Sequence, residues 1–383
     1  MEGAGLDGLV CGDSGEWLLP TGNARYFSNF SIGNMPGAMG GSVVVLPADG
    51  EPVLVVPYGP QDCFRDWAAN SAWIPTVLSS SAGDPQRPLV SAVSEAISRA
   101  GLNRSRLGVA GTFPGIAQVQ EEFPDADFVS TAAAGDRTQR DVIERIRSVK
   151  TDWEVHHLRN AQTAAEAGMA SFFDEVAPGV RLAESAAAAD FAAIRAGAEA
   201  SRVILSAGTP WLWWHVQSER RFQVGDLISL ETNARCLGYT AQYARATTLG
   251  EASELQTRLL GTAEESLRNM LATVRPGVSG AEVWHRGMEP VNDAGLQAWG
   301  RLGHGMGLSM DEGIAIVPNE EYLFEVGNCV AIHASVWEPS TRQSVILGEQ
   351  YLIGAEGPVP LSSQPQARAV PALAVATAPH QIR

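Results

Sequence analysis

The chain has few cysteines, and the four that it has lie far apart. Cys11, Cys63, Cys236 and Cys329 form no Cys-x-x-Cys spacing, so neither a zinc knot nor a disulfide framework is predicted. No stretch approaches the roughly 18 unbroken apolar residues of a membrane-spanning helix. The N-terminus also lacks the basic and apolar regions of a signal peptide. These absences predict a cytoplasmic protein with no membrane partner.

Basic charge is also scarce. Lys and Arg together number 27 against 43 Asp and Glu, and no dense basic run occurs, which argues against nucleic acid as a partner. A small-molecule substrate is the partner that this composition favours. Hydrophobic residues make up 45% of the chain and charged residues 18%, as in globular proteins. A chain of 383 residues exceeds what a single core usually supports, so we expect two domains.

The first part of the chain alternates short strand patterns with helix patterns. In "SVVVLPADGEPVLVVP" two apolar runs flank Asp49-Gly50, which predicts a β-hairpin. In "PLVSAVSEAISRAGL" the apolar residues recur at helical spacing. This alternation predicts an α/β N-terminal domain over residues 1–145.

The second part has longer helical patterns and strands of mixed polarity. The segment "DLISLETNARCLGYTAQYARATTLG" is strand-like, and it predicts, with the helices, an α+β domain over residues 146–362. Helices are predicted within 137–174, 182–199, 252–273 and 279–295. Residues 363–383 are rich in Pro and Ala without a period, and we expect a flexible tail there.

Four segments resemble a known family: "VGDLISLETNARCLGYTAQYARAT", "GHGMGLSMDE", "EVGNCVAIHASVW" and "GEQYLIGAEGPV". Their order, spacing and glycines resemble the pita-bread (M24) family of methionine aminopeptidase, prolidase, aminopeptidase P and creatinase, over about residues 145 to 360. The N-terminal part is similar to the N-terminal domain of the prolidase and creatinase branch. The resemblance implies a pita-bread C-terminal domain. It also implies a homodimer in which one subunit's N-terminal domain helps to close the other's site.

Metallopeptidases of that family hold two divalent ions with two aspartates, one histidine and two glutamates. The resemblance places these five positions at Glu231, Gln242, His304, His333 and Glu356. Gln242 is neutral and cannot bridge two ions as a carboxylate does, and His333 stands where the family has a glutamate. We therefore expect no dinuclear metallopeptidase, and no cofactor is favoured.

Creatinase, which needs no metal, implies a different chemistry. Its proton-carrying histidine falls at His215, within "WLWWHVQSERR". We therefore predict an enzyme, a hydrolase or lyase, that cleaves or rearranges a carbon–nitrogen bond in a small non-peptide metabolite by acid–base catalysis.

Each candidate residue has an expected role in that reaction. His215 would carry the proton, and Glu231 and Glu356 would hold the substrate or assist as base. His304 and His333 would polarise or orient the substrate. The residues expected to bind the substrate are Trp214, Tyr239, Gln242, Asp311 and Trp337.

Two alternatives stay open. His304, His333 and Glu356 form a two-histidine, one-carboxylate set, which is typical of mononuclear metal sites and would hold one Fe, Mn or Zn ion. The altered ligand set also fits a pita-bread domain that only binds a partner and catalyses nothing. A histidine in an apolar strand is more often a packed, hydrogen-bonded residue than a catalyst. A functional role for His333 is therefore predicted from its position in the motif and not from its residue type.

Overall fold

The protein is described by a computed structural model. The described residues are 1–13, 22–30, 41–57, 63–80, 87–111, 113–131, 142–208, 219–363 and 370–374. By the contacts between Cα atoms the chain divides into two compact units, Met1–Ile146 and Arg147–Arg383. None of the helices in these ranges is long and apolar enough to cross a bilayer.

The first unit contains a mixed six-stranded sheet. Its strands are β1 (Gly8–Gly12), β2 (Val43–Pro47), β3 (Val53–Val56), β4 (Thr76–Ser79), β5 (Arg106–Ala110) and β6 (Asp127–Ser130). The helices are α1 (Asn23–Ser28), α2 (Cys63–Ser71), α3 (Arg87–Arg99), α4 (Ile116–Glu122) and α5 (Val142–Ser148), with a short 3-10 helix at Glu2–Ala4. The strand order is β4-β3-β2-β1-β5-β6.

The sequence patterns of the first unit form the predicted elements. β2 and β3 pair antiparallel around Asp49-Gly50, and Gly50 has a φ of 118°, which glycine adopts readily. The apolar face of α3 packs on the sheet through side chains such as Val93 and Ile97, which are fully buried. The α/β class predicted for this unit is confirmed.

The second unit combines four long helices with an eight-stranded sheet. The helices are α6 (Asp152–Asp174), α7 (Leu182–Arg195), α8 (Glu254–Thr273) and α9 (Gly280–Asp293). The strands are β7 (Ala200–Ala207), β8 (Leu227–Cys236), β9 (Tyr239–Thr248), β10 (Gln297–Ala298), β11 (Gly303–Gly305), β12 (Cys329–Trp337), β13 (Ser344–Gly354) and β14 (Gly357–Pro360). The main strand order is β10-β12-β13-β9-β8-β7, with β11 paired to β12 and β14 to β13.

Capping residues set where the helices of the second unit begin. Thr151 accepts a hydrogen bond from the backbone N–H of Glu154, and the Glu154 carboxylate accepts one from the N–H of Thr151. This capping box satisfies two N–H groups that an α-helix leaves unpaired at its start. Ser253 and Gln256 form the same arrangement at the start of α8.

Successive side chains along each strand of the second sheet point to opposite faces. One face is covered by helices, and the other face is polar. Val330, Ile332 and Ala334 of β12 lie in the core formed with α8 and α9, whereas the intervening His333 points to the opposite side. Residues 370–374, within the predicted tail, are paired to the sheet: the N–H of Leu373 donates to the carbonyl of Thr248. The polar side of this sheet carries the candidate site.

Candidate functional site

Four residues lie side by side across neighbouring strands on the polar side of the sheet. Glu231 of β8 is opposite Ala244 of β9, Ala244 is opposite Gly348 of β13, and Gly348 is opposite His333 of β12. We call these four residues the cross-strand row. Because adjacent strands are about 4.8 Å apart, the ends of the row are roughly 14 Å apart. The two residues between them are small and buried.

Gly348 is required by the close approach of β12. A Cβ atom at this position would lie 2.5 Å from the Cβ of His333 and 2.3 Å from the carbonyl oxygen of Ile332. Real Cβ atoms do not come this close, and one neighbour is backbone that cannot move alone. The floor of the site between Ala244 and His333 therefore carries no side chain.

Glu231 is held at one end of the row by two neighbours. Its Oε2 accepts a 3.0 Å hydrogen bond from Nε2 of Gln242, and its Oε1 lies 3.8 Å from Nη2 of Arg202. Arg202 also donates from Nε to Oδ1 of Asn233 at 2.9 Å. Burial raises the pKa of Glu231 above its ordinary value, and the positive charge of Arg202 opposes this effect.

The amide oxygen of Gln242 has no hydrogen-bond partner among the described residues. The side chain is buried, and its nitrogen is already committed to Glu231. A buried acceptor without a donor costs about 1–3 kcal/mol. The interior of the site therefore holds one acceptor that the described residues leave unsatisfied.

His304 and His333 face each other at the other end of the site. Their ring centroids are 5.6 Å apart, with the planes inclined by 62°. His304 lies on β11 between two glycines, where a Cβ at Gly305 would be 1.8 Å from the carbonyl oxygen of Glu312. The flanking glycines thus permit the close backbone approach that places His304, as the sequence indicated.

Both imidazoles are neutral at physiological pH. Burial lowers the pKa of His304 to about 3, and the charge of Arg301 adds to the effect. Burial also holds the pKa of His333 well below its ordinary value, with smaller contributions from His304 and Arg301. Nδ1 of His304 is 3.3 Å from the carbonyl oxygen of Gly305. A neutral ring offers one N–H donor and one acceptor nitrogen.

A second ion pair stands at the edge of the site. Nη1 of Arg301 pairs with Oδ1 of Asp311, and the same carboxylate oxygen is 3.8 Å from Nδ1 of His304. The side chains of Arg301 and Asp311 are 38% and 56% exposed. Unlike Glu231, these two groups are open to solvent and to an incoming ligand.

A buried charge cluster anchors the segment that follows His304. Glu312 pairs with Arg147, and its Oε2 lies 2.7 Å from Nζ of Lys150. Its Oε1 also accepts a 2.9 Å hydrogen bond from the N–H of Ser309. Although burial would raise the pKa of Glu312, the charges of Arg147 and Lys150 lower it to about 2. The cluster fixes the segment that carries Asp311.

The structure does not bring every predicted residue to this site. Glu356 lies in the exposed turn between β13 and β14, and β13 carries that turn roughly 20 Å along the strand from Gly348. The prediction that Glu356 joins the other residues is corrected by this placement. Tyr239 donates to Oε1 of Glu154 at 3.3 Å and thus contacts α6. Trp337 ends β12, opposite Gln297.

Glu231, Gln242, His304, His333 and Asp311 are the predicted residues that lie at the site. His215 and Trp214 fall outside the described residues.

Three residues at the site were not singled out from the sequence. Arg301 precedes His304 by three residues, which was an available signal. Arg202 stands before the apolar run "VIL" of β7, and an arginine there resembles a solvent-exposed strand end. Gly348 interrupts the strand pattern "SVILGEQYLI", where a glycine indicates close backbone approach.

The donor set does not fit a pair of divalent ions. Such a pair needs several anionic oxygens, whereas Glu231 is the one carboxylate of the cross-strand row and the neighbouring Gln242 is neutral. In the part of the chain that the structure describes, no three His, Cys, Asp or Glu side chains are grouped so that they could hold one metal ion. The alternative single-ion set with His304 and His333 is not assembled either, because Glu356 lies in a distant turn.

Comparisons with known proteins find one family and several relatives. The family described as metallopeptidase family M24 matches residues 156–355. The Xaa-Pro dipeptidase of Pyrococcus furiosus is 25% identical over 242 residues, covering 62% of this chain and 68% of the relative. The probable dipeptidase PepE of Mycobacterium tuberculosis is 26% identical over 329 residues, covering 85% and 84%.

Solved structures agree with the observed fold. The Xaa-Pro dipeptidase from Bacillus anthracis superposes with a TM-score of 0.78 at 20% identity, covering 97% of this chain and 96% of that one. Dipeptidase PepE from Mycobacterium ulcerans gives a TM-score of 0.78 at 23% identity, covering 98% and 95%. The pita-bread fold expected from the sequence is confirmed.

Proposed function

Because the chain belongs to metallopeptidase family M24, we propose that it is a hydrolase that cleaves the peptide bond of a dipeptide or another short peptide. The observation that carries the proposal is the position of the site within the matched region. Residues 156–355 contain Glu231, Gln242, His304 and His333. The relatives named Xaa-Pro dipeptidase and dipeptidase PepE align across the same region at 25% and 26% identity.

Two expectations from the sequence are wrong. We expected metal-independent, creatinase-like cleavage of a carbon–nitrogen bond in a non-peptide metabolite, but the family and the named relatives are peptidases. We also favoured no cofactor, whereas membership of a metallopeptidase family implies a divalent metal ion. Since the described side chains do not fit a pair of divalent metal ions, no step below is assigned to a metal.

In this proposal the scissile bond lies between Glu231 at one end of the cross-strand row and His333 at the other. The neutral ring of His333 donates an N–H group to the carbonyl oxygen of the scissile bond and polarises it. The N–H of His304 is committed to the carbonyl oxygen of Gly305, so the other nitrogen of this ring accepts an N–H group of the substrate. Glu231 accepts a proton from the attacking water, whose hydroxyl bonds to the carbonyl carbon. The proton passes to the leaving nitrogen as the carbon–nitrogen bond breaks, so the products are a free carboxylate and a free amine.

The test is hydrolysis of a panel of unblocked dipeptides, glycylproline among them, with and without added Mn²⁺ or Zn²⁺. Release of free amino acids, measured by mass spectrometry, is the expected result. Cleavage of none of the dipeptides under any of these conditions would refute the proposal and would favour the binding-module alternative. The variant His304→Gln serves as the control for a contaminating peptidase, because its preparation should release far less product.

A homodimer and a cytoplasmic location remain predictions from the sequence. Light scattering of the purified chain measures the first directly. A monomer would contradict it without affecting the proposed hydrolysis, because every residue assigned a step lies within one chain.

A further inference from the structure

The eight-stranded sheet consists of two halves that meet at a narrow junction. The Glu231 half is formed by β7, β8 and β9, in which β8 pairs with β7 over eight positions and with β9 over ten. The His333 half is formed by β10 to β14, and its strands β12 and β13 pair over nine positions. β9 and β13 join the halves through one residue pair, Ala244 with Gly348. The backbone ladder is therefore shortest between the two ends of the site.

Arg245 lies at this junction. It follows Ala244 in β9, so its side chain points to the helix-covered face of the sheet and away from the candidate site. Its Nη1 atom donates a 2.9 Å hydrogen bond to the carbonyl oxygen of Ala244 and a 3.1 Å hydrogen bond to the carbonyl oxygen of Gly348. One nitrogen atom is thus bonded to both strands at the position where their backbones pair.

We propose that Arg245 is a positioning residue, which sets the spacing between the two halves of the sheet and thereby the separation of Glu231 from His333. It touches no reacting atom, because its side chain lies on the other face of the sheet. The inference rests on the proposed function for the reaction that this spacing serves. The spacing itself is measurable without any turnover.

Neighbouring side chains hold the guanidinium of Arg245 in this orientation. Its Nη2 atom donates to Oε2 of Glu349 at 3.0 Å, and the hydroxyl of Tyr351 donates to Oε1 of the same carboxylate at 3.1 Å. The ring centroid of Tyr243 lies 3.9 Å from Cζ of Arg245, a distance that favours a cation–π interaction. The side chains of Arg245 and Glu349 are 2% and 0% exposed, so these contacts are shielded from water.

A role in stability alone does not account for this arrangement. Apolar side chains of similar volume that replace a buried ion pair often leave the stability unchanged or raise it. A guanidinium, in contrast, directs its nitrogen atoms to different acceptors from one rigid plane. In Arg245 one terminal nitrogen faces the carboxylate and the other faces the two carbonyl oxygens. The ion pair with Glu349 therefore fixes the position of the link between the strands.

Two other side chains bridge β13 to the Glu231 half. Nε2 of Gln350 donates to the carbonyl oxygen of Thr240 at 2.9 Å, and Oγ of Ser229 donates to the carbonyl oxygen of Ser344 at 3.0 Å. These bridges reach β13 on either side of the junction pair. Arg245 acts between them, at the level of the cross-strand row, so its link is the one that bears directly on the spacing across the site.

The experiment separates the link to the carbonyl oxygens from the ion pair. Glu349→Gln removes the negative charge, but its amide oxygen can still accept the bond from Nη2 and keep Arg245 in place. The double variant, Arg245→Met with Glu349→Gln, differs from this matched control only in losing the guanidinium. Glu349→Gln should keep most of the kcat for dipeptide hydrolysis. The double variant should lose kcat at least about tenfold with a smaller change in KM, because a remote change that misplaces reacting groups by about 1 Å can cost about 100-fold.

The spacing is measured without substrate by double electron–electron resonance. Spin labels are attached to Ala187→Cys and Val359→Cys, which are exposed positions in α7, packed on the Glu231 half, and in β14 of the His333 half. Cys63→Ser removes an exposed cysteine from the background. The label distance in Glu349→Gln should equal that of the wild type. In the double variant it should shift or broaden by about 1 Å or more.

Arg245→Lys provides a second route if Glu349→Gln does not fold. It keeps a positive charge beside Glu349, but a single ammonium group lacks the planar fork. This variant should therefore show both the change in label distance and the loss of kcat. Circular dichroism of each variant verifies that it is folded.

Each result has a defined meaning. An unchanged label distance in the double variant or, where Glu349→Gln does not fold, in Arg245→Lys would overturn the inference. A loss of kcat in Glu349→Gln as large as in the double variant would also overturn it. A changed distance in a protein that cleaves no dipeptide would refute the proposed hydrolysis and leave the inference standing. A lowered kcat at an unchanged distance would refute the inference and leave the hydrolysis standing.

Discussion

Gln242 donates a 3.0 Å hydrogen bond from Nε2 to Oε2 of Glu231. This contact fixes which way the amide points, so that Oε1 of Gln242 is the atom left without a donor among the described residues. It also means that the buried carboxylate of Glu231 has a neutral neighbour. The chemistry of the site depends on this neutrality, and a change of one side chain removes it.

Gln242→Glu is expected to destabilise the protein at high pH. Two carboxylates in contact raise each other's pKa. Above the raised pKa both groups are charged, and their repulsion destabilises the folded protein. As the pH falls, one group becomes protonated and the repulsion is relieved. We expect a loss of about 3 kcal/mol at pH 8 and a smaller loss at pH 5. Urea unfolding at both pH values measures this. The exposed control Gln297→Glu should show no such difference, and a loss independent of pH in Gln242→Glu would contradict the prediction.

Gly348→Ala should separate β12 from β13 at the site. The added methyl group would lie 2.3 Å from the carbonyl oxygen of Ile332, and overpacking of this kind costs about 1–3 kcal/mol. We expect that loss in the free energy of unfolding together with weaker ligand binding. Gly261→Ala in α8 is the control: no atom lies within 4 Å of its added Cβ, so it should be neutral or stabilising. Equal stabilities of the two variants would argue against the close approach.

Glu312 should make stability depend on pH in the acid range. Its pKa is about 2 in the folded protein against 4.5 for the unperturbed group. A carboxylate with a lowered folded pKa stabilises fully above pH 4.5, and its contribution is lost as the pH falls towards 2. That contribution is about 3 kcal/mol. Urea unfolding between pH 6 and 3 should show this loss in the wild type.

The same unfolding experiment on Glu312→Gln tests the assignment. The variant should be less stable at neutral pH, because Arg147 and Lys150 keep their buried charges without a carboxylate. It should also lose much of the acid dependence. Glu289→Gln, which removes an exposed carboxylate, should keep the wild-type profile. An acid dependence that is identical in Glu312→Gln would assign the titration to other groups.

His304→Gln and His333→Gln should each reduce kcat for dipeptide hydrolysis by about 100-fold or more, since His333 polarises the reacting carbonyl and His304 positions the substrate. The exposed His285→Gln is the control and should leave kcat unchanged. Because the pKa of His304 is about 3 and that of His333 is well below the ordinary value, neither ring should titrate near pH 6.5. An inflection in kcat near that pH that vanishes in His333→Gln would contradict the neutral state of this ring.

The sequence predicted much of the fold because the decisive signals are local. Asp49-Gly50 between two apolar runs specifies a hairpin, and the glycines beside His304 indicate close backbone approach. Glu231 and Gln242 are eleven residues apart on strands joined by a short turn, so antiparallel pairing brings them together. These arguments depend on period and turn chemistry, which a single sequence carries.

The remainder of the site depends on strand register, which a single sequence specifies only weakly. Glu356 and Gly348 are eight residues apart, and the sequence alone does not decide which of them reaches the site. The pairing of β13 with β9 and β12 places Gly348 there and leaves Glu356 in the turn before β14. Arg202 meets Glu231 because β7 pairs with β8 in one particular register, whereas Arg301 is only three residues from His304 in the sequence. The reaction was mistaken because the residue types were compared with one metal-free enzyme of the family, while relatives that match 62% and 85% of the chain are named dipeptidases.

The tight approach of backbone at Gly348 also limits how this enzyme could be redesigned. Laboratory selection for a new activity usually begins by adding a functional group to the floor of a pocket, one codon at a time. At residue 348 every such step starts with a collision against the neighbouring strand, whatever the incoming group can do chemically. New functional groups for this scaffold should therefore be introduced at the rim, around Arg301 and Asp311, where side chains already have room to move.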